Sequence, residues 1–546
     1  MVSLKIMIVA CEDSGDGLGA SLMEDLCHPK MKKFFGDQII NKYIDILSIN
    51  NKSDLDGLPP NHEKIEFEFA GMGGEKMVDS GLIQIAQYDN ISIIGLIEAL
   101  FIVKNAYFLM KKLILFAEDY KPDLIITIDA PGFNFHLVKN LRKSKILQQN
   151  PPKYIHYVAP TVWARKPQRA IIAAKLFDHI MLIMPFEDKF FQHMSHSYVG
   201  HYLAINNKEN FASISCLENK ILESNNKSIQ NNISTLYNNL DISNPINKID
   251  NDCKYYKDKY ITQKDIQEDV ILNIFNDMNH KKCISIMIGS RKNEIKNHIT
   301  IITQSIIDLV DIIFNKGNKE NNQYKYNIKE IIFIFHTTFK LKNFLIKKIL
   351  NYLDYNPDIH IIDFDKELNV INNNNKIKTK KVSIIIVDNA IQKKIALSYS
   401  HFAWVKSGTV TIEVAIAKVP MLTFYCLSRV TEFILKWQIK KNQFFNLINI
   451  INTIDDVDIN NKSITQYNYE FISNTTSSNI LIPELIGRDK FNVSNILFYT
   501  LSVLKNDDIK LQFKKVYNSA LNKLVSPGKF SPAKSIIKKI LDWKIF

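Results

Sequence analysis

The chain has 546 residues, 46% of them hydrophobic and 23% charged, with 17 Gly and 16 Pro. That balance excludes a collagen-like chain, a coiled-coil rod and a wholly disordered polymer, and at roughly 150 residues per domain the length suggests three to four domains. Lys and Arg (69) exceed Asp and Glu (56), a formal charge of +13, which admits nucleic acid, an anionic membrane or a phosphorylated substrate and selects none of them.

The first predicted element is a buried strand over Leu4–Cys11. It runs into Glu12-Asp13-Ser14-Gly15-Asp16-Gly17-Leu18-Gly19, a glycine-rich turn, with a helix expected from about Ala20. Ile8-Val9-Ala10-Cys11 resembles a lipoprotein cleavage box, but only Lys5 precedes it and the apolar run is too short for a signal segment. The segment from Ile91 to Phe116 is greasy yet interrupted by Glu98, Lys104, Lys111 and Lys112. No run reaches about 18 apolar residues, so no membrane-spanning helix is expected. Further strands are predicted over Pro122–Asp129, Lys153–Val158, Asp178–Met184 and Ser197–Val199, with helical patterns between them. The pattern restarts with Cys283–Ile288, Glu330–Phe335, Val382–Val387 and His401–Val405.

Alternation of apolar strands and helices implies parallel βαβ units, so the fold class is α/β. The domains expected are 1–204, an insertion or linker at 205–280, 281–500, and a helical segment at 501–546. Tracts rich in Asn, Lys and Ser (206–269, 316–327, 372–381 and 452–479) cannot build a packed core and read as surface insertions. A small helical domain around 210–280 is the rival reading. The cysteines Cys11, Cys27, Cys216, Cys253, Cys283 and Cys426 lie far apart without CxxC spacing. Neither zinc nor a disulfide framework is expected, and a reducing cytoplasm is the default.

Several residues invite chemistry, each with a plainer alternative. Glu12, Ser14, Gly15 and Asp16 form an acidic turn suited to sugar hydroxyls or proton transfer, or a solvated cluster at a helix start. Asp129 closes a strand, where α/β sheets bind ligands, and is either a general base or a turn cap. His156 lies within a strand as a core group or a site residue; His201 follows the Val199-Gly200 turn. In the second half, Gly289-Ser290-Arg291 follows a strand directly, with backbone N–H groups and a guanidinium for phosphate oxygens. Ser407-Gly408-Thr409 opens a helix, and Glu413 lies one turn along it, suited to ribose hydroxyls. Ile91, Ile94, Leu96, Ile97, Leu100 and Phe101 read as a membrane or acyl contact, or as a core helix. No recognised nucleic-acid module appears and the lysines are scattered, so no nucleic acid is expected.

In order along the chain these motifs resemble the lipid-A-disaccharide synthase family. The match includes Ser14-Gly15-Asp16, Phe69-Ala70-Gly71-Met72-Gly73-Gly74, Asp129-Ala130-Pro131-Gly132-Phe133-Asn134, His156 to Ala164, and Pro185-Phe186-Glu187. It continues through Val199-Gly200-His201, Gly289-Ser290-Arg291, Ser407 to Glu413, Asn446 to Asn449 and Pro483-Glu484-Leu485. The resemblance implies two Rossmann-like domains facing each other across a cleft, the GT-B architecture. It implies an inverting, metal-independent transferase with no cofactor, which joins UDP-2,3-diacylglucosamine to 2,3-diacylglucosamine 1-phosphate (lipid X). By position, Asp129, with Glu12 and Asp16, is then catalytic. Ser14, Gly15, Asn134, His156 and His201 fall on the acceptor side, and Gly289, Ser290, Arg291, Ser407, Gly408, Thr409 and Glu413 on the UDP side. The stretch Ile91–Phe101 becomes a contact with the cytoplasmic surface of the inner membrane, and a homodimer with exchanged C-terminal segments is allowed. Departures include Cys11-Glu12-Asp13 for the family's Gly-Glu-Ala and Ile288 for its Pro. Another GT-B UDP-sugar enzyme and a degenerate membrane-bound scaffold remain as alternatives.

Overall fold

The structure, a computed structural model, describes residues 2–36, 65–87, 98–162, 168–204, 280–316, 328–353, 359–363, 382–426, 444–453, 482–525 and 531–545. They form two compact units, one of Met1–Ile205 with Lys523–Phe546 and one of Asn206–Asn522.

The first unit carries β1 (Val2–Ala10), β2 (Ile65–Met72), β3 (Ile83–Ala86), β4 (Leu124–Ile128), β5 (Lys153–Tyr157), β6 (His179–Leu182) and β7 (His196–Tyr198). Every pairing is parallel, in the order β3-β2-β1-β4-β5-β6-β7. A sheet covered on both faces needs uniformly apolar strands, and β4, Leu-Ile-Ile-Thr-Ile, is buried at each position. The strand order reverses between β1 and β4, which opens a crevice beyond their carboxyl ends. The helices beside that crevice are α1 (Asp13–Cys27), α2 (Glu75–Asp79), α3 (Glu98–Tyr120) and α4 (Pro131–Leu141). Pro131 suits the first turn of α4, where its missing N–H costs nothing.

The second unit repeats the plan with β8 (Lys281–Met287), β9 (Glu330–His336), β10 (Ile359–Asp363), β11 (Val382–Val387), β12 (Phe402–Lys406), β13 (Met421–Tyr425) and β14 (Glu484–Ile486). Its parallel order is β10-β11-β9-β8-β12-β13-β14, reversing between β8 and β12. Here α5 (Lys292–Val310), α6 (Val410–Ile416), α7 (Leu447–Thr453), α8 (Val493–Lys505) and α9 (Asp507–Leu524) cover the sheet, and α10 (Pro532–Trp543) returns to the first unit. Helix α5 buries Ile295, Ile299, Ile302, Ile306 and Leu309 at alternating spacings of four and three, the stripe of a core helix. Among the described residues Lys292–Phe314 alone has the length and hydropathy of a membrane span, and more than half of it is buried. Trp404 on β12 is fully buried, and its indole N–H donates to Thr500 Oγ1 on α8 at 2.9 Å.

The strands expected from the sequence are present, shifted by at most two residues at an end, whereas β2, β3, β10, β13 and β14 were not anticipated. β2 hides because Ile65-Glu66-Phe67-Glu68-Phe69 alternates rather than running apolar; β3, β10 and β14 lie at sheet edges, and β14 is only three residues long. Two expectations change. The turn 12–19 is itself helical from Asp13, since the Asp16 N–H bonds Glu12 O at 2.9 Å and the acids occupy the first helical turn. The C-terminal segment is divided: most of α9 belongs to the second unit, where the Tyr517 hydroxyl donates to Val419 O at 2.8 Å. α10 packs on the first unit, with Ser535 Oγ 2.6 Å from Ser197 Oγ. The Asn/Lys-rich tracts fall almost wholly outside the described residues.

Candidate active site

Strand register assembles the first crevice. Ala10 pairs with Ile128, so the residues that follow each, Cys11-Glu12 and Asp129-Ala130, leave the sheet side by side. Asp129 and Ala130 both take left-handed backbone (φ 50° and 44°), as does Val158 (φ 74°) at the end of β5. For residues with a Cβ each such conformation costs about 1–2 kcal/mol, and clustered strain at strand ends marks functional turns. Asn134 secures the turn. Fully buried, its Nδ2 donates to the carbonyls of Ile128 (3.1 Å) and Asp129 (2.7 Å), while its Oδ1 receives the Cys11 thiol at 3.8 Å. The Asp129 N–H donates to Tyr157 O at 2.9 Å.

The carboxyl group so held is unusual. Burial first, then the negative charge of Glu12, push the Asp129 carboxyl up to about 6, against the pull of the Ala130 N–H. Glu12 is half-buried and accepts the Ser14 hydroxyl at 2.9 Å. A third carboxyl, absent from the residues singled out for chemistry, joins them. Glu187 is buried after β6, accepts the N–H groups of Ile183 and Met184 at 3.3 and 3.1 Å, and is pushed by burial up to about 8, with the charge of Asp129 adding to the shift. Its sequence signal was an acid in an otherwise apolar turn, Pro185-Phe186-Glu187.

Other expectations shift when the side chains are located. Asp16 has a structural engagement within the unit. It is buried and accepts three N–H groups, from Gly74 (2.7 Å), Lys76 (3.2 Å) and Met77 (3.2 Å), clamping α1 to the start of α2. Asp16→Ala is expected to cost about 2–4 kcal/mol by stranding those donors, lowering the melting temperature while the folded fraction keeps its turnover number. A fall in turnover at unchanged melting temperature would contradict this. Gly15 faces Ala10 Cβ, so a Cβ there would lie 3.4 Å from it, and serves the packing of α1 on the sheet. His156 is a core group rather than an acceptor ligand: wholly buried, 2.8 Å from Thr127 Oγ1 through Nδ1, stacked on Phe177, and pushed by burial down to about 3. His201 is buried at the junction with the C-terminal chain, its N–H donating to Leu524 O at 3.0 Å. Asn134 likewise braces the turn from within.

Of the apolar contact residues, Ile91, Ile94, Leu96 and Ile97 lie outside the described residues. Leu100 and Phe101 fall in the first turn of α3. Further along α3, Tyr107, Phe108 and Leu115 are 64%, 57% and 56% exposed, with exposed Lys111 and Lys112 between them. Phe108, Leu109 and Lys112 also line a groove of about 620 Å³ with Gln84 and Asn105.

In the second unit Val405 pairs with Met287, so Gly289-Ser290-Arg291 and Ser407-Gly408-Thr409 emerge together at its crevice. Gly289 and Gly408 take positive φ (129° and 157°). Ser407 is fixed by its N–H to Phe424 O (2.9 Å) and its hydroxyl to Phe445 O (2.7 Å). Arg291 is exposed at the start of α5 and Glu413 half-buried in the first turn of α6. Two residues missed in the sequence stand here, Lys406 and Glu294, an ion pair of 3.1 Å. His298 ties the ends of β8 and β13, its Nδ1 2.9 Å from Ile288 O and its Nε2 receiving the Cys426 N–H at 3.2 Å. Below, buried Glu484 accepts Phe445 N–H, Asn446 N–H and Asn449 Nδ2 at 2.8, 3.0 and 2.8 Å, anchoring α7 to β14.

A family model described as lipid-A-disaccharide synthetase matches residues 56–235 and 338–481, more than half of the chain. A lipid-A-disaccharide synthase of Coxiella burnetii (strain Dugway 5J108-111) is 33% identical over 162 residues, 29% of this chain and 40% of that relative, so the match spans less than half of the relative's length. One from Rickettsia conorii (strain ATCC VR-613 / Malish 7) is 25% identical over 451 residues, 82% of this chain and 73% of that one. Among solved structures, a UDP-GlcNAc 2-epimerase from Neisseria meningitidis bound to UDP-GlcNAc superposes with a TM-score of 0.44 at 11% identity, covering 99% of this chain and 100% of the other.

Proposed function

The chain belongs to the lipid-A-disaccharide synthetase family, and from that premise we propose that it joins UDP-2,3-diacylglucosamine to 2,3-diacylglucosamine 1-phosphate. The products are the β-1,6-linked disaccharide 1-phosphate and UDP. The observation that carries this reading is Asp129, an acid held in left-handed backbone at the reversal point of the first sheet and tuned to titrate near pH 6. A carboxyl tuned toward neutrality is suited to general-base work at physiological pH. Its carboxylate takes the proton of the acceptor hydroxyl as that oxygen attacks the anomeric carbon. The bond from that carbon to the UDP oxygen breaks, inverting the centre, and the proton later passes from Asp129 to solvent. Glu12 sustains the basicity of Asp129, and Asn134 keeps the turn in shape.

The departing diphosphate needs compensation of its charge. The backbone of Gly289 and Ser290, the Arg291 guanidinium and the Ser407-Gly408-Thr409 turn supply it, and Glu413 accepts ribose hydroxyls. The assay is direct: purified protein with both acyl-sugars in detergent, following UDP and disaccharide. Formation of both supports the reading. UDP released without disaccharide would favour another UDP-sugar reaction, and no UDP at all would overturn the transferase.

Substrates with acyl chains reside in a membrane, and the reading includes peripheral attachment to the cytoplasmic surface of the inner membrane. Its support is the exposed Tyr107, Phe108 and Leu115 stripe with Lys111 and Lys112 on α3, an apolar face beside cations of the kind that lies on anionic lipid. Phe108→Glu with Leu115→Glu is expected to weaken binding to phosphatidylglycerol vesicles about tenfold or more, leaving UDP affinity unchanged. Vesicle binding equal to wild type would remove this contact.

A further inference from the structure

A carboxylate already occupies the second unit's crevice where an anion is expected. The Ser290 N–H donates to Glu294 Oε2 at 3.0 Å. Gly289 gives the side chain room, because a Cβ at that position would come within 2.6 Å of the same oxygen. The other oxygen, Oε1, lies 3.1 Å from Lys406 Nζ, and the two side chains are only 12% and 20% exposed. Lys406 closes β12 immediately before Ser407. Its ammonium lies against the second turn, 3.7 Å from where a Cβ on Gly408 would stand, and 5.2 Å from the centre of the Tyr425 ring. One carboxylate therefore bridges both turns that the sequence marks for phosphate.

An ammonium withdrawn this far from water needs an anion beside it. Glu294 meets that need with a single negative charge. A diphosphate carries more charge and more acceptor oxygens, and can satisfy the same two donors together. We infer that Glu294 is a displaceable internal counterion and that Lys406 is a binding cation for the nucleotide diphosphate. In the free chain the pair is closed. On binding, phosphate oxygens take the Ser290 N–H and Lys406 Nζ, and the Glu294 side chain swings out toward solvent. Glu294 then opposes binding twice, by holding the cation and by repelling the incoming charge. This inference rests on the UDP reading of the second unit and adds a residue and a gating step to it. The rival role for Glu294 is purely structural, capping the first turn of α5.

Calorimetric titration of the full-length protein at low salt separates these roles, with UDP, inorganic pyrophosphate and uridine as probes. Glu294→Gln, which keeps the shape and removes the charge, is expected to tighten UDP and pyrophosphate about fivefold. Lys406→Met is expected to weaken both about tenfold, the scale of one charge-assisted hydrogen bond partly offset by desolvation. Neither variant should alter uridine binding, and the gain from Glu294→Gln should vanish when Lys406→Met is added. Unchanged or weaker UDP binding in a folded Glu294→Gln protein, or wild-type affinity in Lys406→Met, overturns the inference. If Glu294→Gln fails to fold, Lys406→Met decides alone. Wild-type protein that binds UDP while the variants do not differ refutes only this inference; wild-type protein that binds neither UDP nor pyrophosphate refutes the nucleotide reading with it.

Discussion

Replacing Asp129 with asparagine is expected to leave the protein more stable and nearly without transferase activity. General-base catalysis contributes on the order of 10²–10⁴-fold, so disaccharide formation should fall by about 10³-fold. The stability effect runs the other way. The folded-state pKa of Asp129, about 6, lies above its ordinary value of 3.8, so the folded state binds the proton more tightly than the unfolded one. The group's cost to stability is therefore absent below pH 3.8 and grows as pH rises, being fully present above about 6. Asparagine removes that cost at pH 8, worth about 1–3 kcal/mol, and tolerates the left-handed backbone well. Thermal unfolding at pH 8 should move up by a few degrees, with no gain at pH 3.5. The wild-type rate should in turn drop tenfold per pH unit below about 6, as the base is protonated. Full turnover in Asp129→Asn would remove the residue from the proton transfer, and a lower melting temperature at pH 8 would refute the buried-charge account.

Gly71→Ala is expected to be the most damaging single substitution in the first unit. Gly71 sits in β2 at φ 144°, where the pairing with β3 shifts register, and an added Cβ would collide with the Ile8 carbonyl oxygen of β1. That obstacle is backbone in the centre of the sheet and cannot rotate aside. A loss of about 4 kcal/mol or more is expected, a fall of about 10 °C in melting temperature for a unit of this size. Gly132→Ala, where a Cβ meets nothing within 4 Å, is the control expected to melt near wild type. Similar melting of both variants would show that the β1–β2 spacing adapts.

The parts of this protein legible in the sequence are those encoded by local pattern. Apolar runs such as Leu124–Ile128 and Val382–Val387 identify their strands because a parallel sheet buries both faces. Asp129 and Gly289 stand out because a strand that ends in a polar or glycine-bearing turn leaves that turn at the crevice. Alternating or edge strands such as β2 and β14 carry no such signature, and helix α1 begins earlier than its glycines suggest, because an acidic first turn and the burial of Gly15, Asp16 and Leu18 outweigh their weak propensity.

Which polar groups remain available for chemistry is a different matter. The same acidic segment supplies Glu12, whose charge bears on Asp129, and Asp16, spent on three backbone N–H groups of a segment 58 to 61 residues away. Residue type and spacing could not distinguish them, because the partners come from the start of α2 for Asp16 and from the end of β4 for Glu12. His156, a core group or a site residue by pattern and an acceptor-side residue by resemblance, is packed by Phe177 and Thr127, brought by other elements, as a core group. Glu187 and the Glu294–Lys406 pair emerged only when β6, α5 and β12 were assembled. Sequence alone determined the α/β plan, which follows from its apolar strands, and through its ordered motifs the family and the turns proposed for the chemistry. Burial and donor pairing across distant segments were decided by the tertiary structure, because desolvation and hydrogen-bond partners depend on what the rest of the chain packs against each side chain.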